Sequence, residues 1–117
     1  MPSIRDLVAA IRRRDGVDAA LILGRDGLLI DSQLGPGLDA DDIAARVSGM
    51  IGPADELGAA TARGDLLTAV FEHQHGLAIV AVLSPETILL VLVTPQANIA
   101  QLLFELRRNR EHIAALV

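Results

Sequence analysis

A chain of 117 residues is long enough for one domain with a buried core, and the absence of cysteine excludes disulfides, thiol catalysis and cysteine-bound metal together. Trp, Tyr and Lys are also absent, all 10 basic residues are Arg, and the net charge is -5. A phosphate backbone is therefore repelled, no aromatic platform exists for stacking bases, and nucleic acid is not expected as a partner.

The opening Met-Pro-Ser-Ile-Arg-Asp lacks the apolar core of a signal peptide. The long apolar tract from Leu77 to Val93 is broken by Ser84-Pro85-Glu86-Thr87, whereas a membrane helix needs about 20 apolar residues. The expectation is a soluble cytoplasmic protein with no membrane insertion.

Ile4, Leu7, Val8 and Ile11 form one helical stripe over 3–14, with Ser3 and Asp6 spaced as a capping box and Asp15-Gly16 as the stop. A hairpin follows. Val17 to Leu23 is apolar on both alternating faces except at Asp18 and reads as a strand covered on both sides. Gly24-Arg25-Asp26-Gly27 supplies the turn, because Gly27 can take the positive φ that a tight connection demands. In the second arm Leu28 and Ile30 oppose Leu29, Asp31 and Gln33, the pattern of an edge strand.

Leu34-Gly35-Pro36-Gly37 breaks the pattern, and Asp39 is placed to cap a second helix whose first turn carries Asp41 and Asp42 at the positive end of its dipole. Ile43, Val47, Met50 and Ile51 are its expected core stripe, and Gly52-Pro53 is expected to kink or interrupt it. Three short-looped strands follow, Leu66 to Gln74, Leu77 to Leu83 and Ile88 to Thr94, as an antiparallel meander whose last two members belong at the sheet centre. Thr94 then reads as an N-cap with Pro95 at the first helical position, opening a helix to the C-terminus that buries Ile99, Leu102, Leu103, Leu106, Ile113 and Leu116. The fold class is α+β, an α-β-β-α-β-β-β-α sandwich in a single domain over 1–117, with a five-stranded antiparallel sheet and helices on both faces.

This order, with the Gly24-Arg25-Asp26-Gly27 hairpin and the closing Thr94-Pro95-Gln96-Ala97-Asn98-Ile99 run, resembles the Roadblock and dynein light chain domain family over essentially the whole chain. The resemblance implies a homodimer that joins its third strands edge to edge into one sheet and serves as a platform for Ras-like small GTPases. It also implies activation of GTP hydrolysis, as in bacterial gliding-motility relatives, through the partner's active site and without catalytic groups or cofactors of the platform's own.

Two patterns in the residues agree with a dimer. Ala45, Ser48, Gly49 and Gly52 gather on one side of the second helix, where another backbone can approach closely; a helical glycine costs about 1 kcal/mol relative to alanine, which close packing would offset. The strand from Leu66 carries Leu67, Ala69 and Phe71 without the Lys, Pro or inward charge that blunts an open edge. The expected interface is thus Ala45, Ser48, Gly49, Gly52, Leu67, Ala69 and Phe71.

For chemistry, His73 and His75 share a side of a strand at period two, but no third ligand is placed, and a solvated strand end accounts for them. His112 reads as an exposed residue near a helix end, and Arg12-Arg13-Arg14 as cations favoured at a helix C-terminus. Arg25, at the hairpin tip, is the candidate for contact with a GTPase site in the manner of an arginine finger. Ser32, Ser48 and Ser84 lack an accompanying histidine and carboxylate in a recognisable arrangement, and Gly24-Arg25-Asp26-Gly27 lacks the Gly-Lys-Ser ending of a phosphate loop. No enzyme, metal or cofactor is expected. The alternatives are a profilin-like or PAS-like module sensing a small molecule, disfavoured by the scarcity of aromatic and polar groups on the central strands, and a purely architectural dimer.

Overall fold

The structure is a computed structural model and describes residues 3–116. Its elements are α1 (Ile4–Arg12), β1 (Val17–Gly24), β2 (Leu29–Leu34), α2 (Ala40–Ala60), β3 (Thr68–His73), β4 (Gly76–Ser84), β5 (Thr87–Val93), α3 (Ile99–Arg108) and α4 (Arg110–Ala114). The strands form one five-stranded antiparallel sheet in the order β2-β1-β5-β4-β3, which puts the meander on one side, the hairpin on the other, and an edge at β2 and at β3.

The alternation of the central strands feeds two apolar layers. On one face Ala20, Ile22, Ile79, Leu89 and Val91 meet Val8 and Ile11 of α1, Leu102 and Leu106 of α3 and Ile113 of α4. On the other, Leu21, Leu23, Val80, Ile88 and Leu90 meet Ala44, Val47 and Ile51 of α2. One helix covers this second face, against β1 and β2.

Local chemistry explains where the helices begin. Ser3 and Asp6 close the capping box of α1 in both directions, and the Asp39 side chain accepts the Asp42 amide to cap α2. At the hairpin tip Gly27 stands at φ 92°, and the Asp26 carboxylate accepts the Leu28 amide at 3.0 Å.

Several expectations are corrected. Helix α2 runs unbroken through Pro53. Proline clashes with the Cβ of the preceding residue when that residue is helical, and Gly52 has none. Met50 faces outward, 37% exposed, and Ala44 takes its place in the core stripe. The last helix begins at Ile99, not at Pro95: the Thr94 amide is held by the Gly16 carbonyl at 2.8 Å, and Asn98 is the cap, accepting the Gln101 amide at 3.2 Å. It also breaks at Asn109, whose side-chain amide donates to the Glu105 carbonyl at 2.8 Å, so α3 and α4 are separate.

The two edges differ. β2 is irregular, its register against β1 shifting between Ile22 and Leu23. It also turns Asp31, opposite Ile22, toward the α1 layer, where carboxylate oxygen Oδ2 is buried with no hydrogen-bond partner among the described residues. β3 pairs with β4 in unbroken register from Thr68 to His73.

Candidate interface at the third strand

In an antiparallel pair, residues alternate between those that exchange hydrogen bonds with the neighbouring strand and those that do not. The Val82 amide donates to the Leu67 carbonyl at 2.9 Å, so Leu67, Ala69, Phe71 and His73 turn their backbone polar groups toward β4. Thr68, Val70 and Glu72 therefore direct theirs away from the sheet. Side chains alternate in step. Ala69 pairs with Val80 on the α2 face, shared by Phe71, while Val70 pairs with Ile79 on the α1 face, shared by Thr68 and Glu72.

The margin is apolar. Leu67, Val70 and Phe71 are 63%, 41% and 37% exposed, and Met50 and Leu57 of α2, on the same face of the sheet as Phe71, are exposed with them. The sequence-expected residues Leu67, Ala69 and Phe71 thus lie together along one edge.

The small residues of α2 divide. A Cβ on Gly27 would lie 3.5 Å from the Ser48 side chain and 3.7 Å from the Ala45 Cα, so Ala45 and Ser48 meet the chain's own hairpin tip. A Cβ on Gly49 or Gly52 would touch nothing within 4 Å, which leaves both open to an approaching surface.

Arg25 is engaged within the chain. Its guanidinium pairs with Asp55, its carbonyl accepts the Ser48 hydroxyl at 2.7 Å, and its amide donates to the Glu86 carbonyl at 2.8 Å. Asp55 also accepts the Leu66 amide at 2.7 Å. That amide, and then the Arg25 guanidinium, hold the Asp55 carboxyl below the usual aspartate value against the opposing effect of burial. The cluster ties the hairpin tip, α2 and the segment leading into β3 at one point.

Arg110 braces the same segment from the other face, donating to the Thr68 hydroxyl at 2.7 Å and to the Leu67 and Val82 carbonyls at 3.2 and 3.3 Å. Burial, and then the neighbouring Arg107 cation, lower its pKa. The ion pairs among the described residues are Arg14–Glu105, Arg25–Asp55 and Arg46–Asp42; neither Arg107 nor Arg110 is in one. No pattern in the sequence marks Asp55 or Arg110, because their partners lie 30 and 42 residues away.

The remaining candidates have structural surroundings. Arg12 donates to the Val17 carbonyl at 2.9 Å and Arg14 pairs with Glu105, fastening α1 to β1 and α3. His73 ends β3 and His75 sits in the following turn, so strand alternation does not align them, and no cluster of three metal-ligating side chains occurs among the described residues. Ser84 accepts the Glu86 amide at 3.3 Å. No described helix is long and apolar enough to cross a membrane.

Comparison with known proteins decides the family: the Roadblock/LC7 domain model matches residues 4–93. The chain belongs to the Roadblock/LC7 domain family. It is 30% identical over 106 residues to the Methanocaldococcus jannaschii protein MJ1340, covering 91% of this chain and 92% of that one. The crystal structure of a Roadblock/LC7 domain from Streptomyces avermitilis is similar at TM-score 0.81 and 26% identity, covering 96% of this chain and 95% of that one. Myxococcus xanthus MglB shares the fold at TM-score 0.86 and 10% identity, covering 98% and 97%. The α+β fold with a five-stranded antiparallel sheet and helices on both faces is as expected and matches these Roadblock/LC7 neighbours.

Proposed function

We propose that this Roadblock/LC7 protein is a homodimeric, non-catalytic platform that binds a Ras-like small GTPase in the cytoplasm and promotes its GTP hydrolysis. The observation that carries the reading is the bare β3 edge: a regular strand with unfilled backbone groups at Thr68, Val70 and Glu72 and apolar side chains on both faces. Such an edge is stable in water when a second strand covers it. Two copies related by a two-fold axis supply that strand to each other and extend the sheet across both. Residues flanking the junction on the α2 face, with Gly49 and Gly52, complete the proposed interface.

Arg25 acts in this reading as a brace and not as an inserted finger, because Asp55 already neutralises it. The GTPase would hydrolyse GTP with its own groups, ordered by contact with the platform.

The first test is the oligomeric state. Val70→Pro removes an amide that points off the sheet and leaves the bonds to β4 intact. Sedimentation should show a dimer for the native protein and a monomer for this variant; a variant that stays dimeric overturns edge pairing. The second test is affinity capture from the source cell with GTP present, followed by hydrolysis assays on any G-domain protein recovered. Turnover unchanged by saturating platform would leave an architectural dimer.

A further inference from the structure

We infer that the dimer register is set by a reciprocal ion pair, Arg110 of one protomer with Glu72 of the partner subunit. The inference rests on the edge-to-edge reading above. Because Thr68, Val70 and Glu72 carry the outward backbone groups, a two-fold pairing that keeps the strands overlapped has its axis at residue 69, 70 or 71.

The three choices differ in what they oppose. An axis at Ala69 sets Glu72 against the partner's Leu66, outside the strand. An axis at Phe71 sets Glu72 against the partner's Val70 and leaves Thr68 opposite the partner's Gln74, in the turn. An axis at Val70 opposes Val70 to its own copy and Thr68 to the partner's Glu72, so every outward residue is matched within the strand.

Only this last register brings the carboxylate to a waiting cation. Thr68 and Glu72 both project on the α1 face, and hydrogen-bonded partners across an antiparallel junction have Cα atoms about 5.5 Å apart. The Thr68 hydroxyl is bound at 2.7 Å to Nη2 of Arg110, so the partner's Glu72 arrives beside that guanidinium. Arg110 has donors to spare: a guanidinium carries five N–H groups, and Leu67, Val82 and Thr68 take three hydrogen bonds from it. Arg107, which raises the local positive potential at Arg110, strengthens the attraction. Glu72 is exposed and forms no ion pair in its own chain among the described residues. The two-fold axis makes the contact twice.

Charge reversal tests the assignment. Glu72→Arg, at an exposed position, should fold as the native chain does and weaken the dimer by about ten-fold or more, since a carboxylate is replaced by a cation facing Arg110. Glu72→Gln, which keeps the shape and removes the charge without adding a cation, should weaken association less than Glu72→Arg. Because the chain has no cysteine, a single Val70→Cys variant gives a background-free check: mild oxidation should cross-link it to its copy more efficiently than Ala69→Cys or Phe71→Cys. A dimer of undiminished affinity in Glu72→Arg, or preferential cross-linking at 69 or 71, overturns the register while leaving edge pairing intact. A dimer that survives Val70→Pro removes both.

Discussion

Asp55 shows how one carboxylate can govern several elements. It accepts from Leu66 and pairs with Arg25, and its pKa is lowered in the folded state. The unfolded value lies near 4. A group whose folded pKa is depressed adds stability that is fully present above the unfolded value and is lost as pH falls through the folded one. Asp55→Asn keeps an oxygen for Leu66 but gives up the charge toward Arg25. Thermal melts should show the variant less stable at pH 6 and the gap closing as pH falls below 4; a constant gap across that range would mean that the charge has no part. Glycines make a second contrast. A Cβ on Gly58 would stand 1.8 Å from the Gly64 carbonyl oxygen, so Gly58→Ala should destabilise by about 1–3 kcal/mol despite its better helix propensity. Gly49→Ala meets nothing and should stabilise the isolated protomer by about 1 kcal/mol. If the dimer packs there, the same variant will associate less well, which chemical denaturation and sedimentation together can separate.

Among the elements, those fixed by neighbouring residues were readable beforehand. Ser3 with Asp6, and Asp39 ahead of Asp41 and Asp42, mark helix starts within one turn, and Gly24 to Gly27 marks the hairpin. Elements settled at a distance were not. Thr94 has the side chain of a cap, but the chain turns between Thr94 and Asn98 without helix, and Asn98 accepts the Gln101 amide as the cap instead. Asn98→Ala should therefore cost about 1 kcal/mol, and Thr94→Ala should spare the cap, in urea unfolding. Gly52-Pro53 has the pattern of a kink or interruption, yet Gly52 relieves the clash and α2 continues past Pro53 with Val47 and Ile51 buried. The strand margin of the candidate interface was visible as an unguarded apolar run. Its braces, Asp55 and Arg110, were not, since each acts on residues that only folding brings near.

At the level of the whole molecule, the central sheet is clamped between two apolar layers, and the fully buried Leu21 sits in the α2 layer. Leu21→Ala should cost about 2–5 kcal/mol, the spread reflecting how far α2 can settle into the void. The opposite ends of the sheet have unlike fates. If β3 zips to its twin, the two β2 margins become the outer limits of a ten-stranded ribbon. Those limits are distorted by the shift at Ile22 and Leu23 and carry Asp31, an inward acidic group of the kind that discourages further strand addition. Filling that spot with Asp31→Val should raise protomer stability by about 1 kcal/mol by removing an unsatisfied buried oxygen, yet increase light scattering on storage. In that pairing the orphaned carboxylate would be a terminator: it would halt strand addition at two subunits, so that a chain with two open sides would make a closed particle and not a fibre.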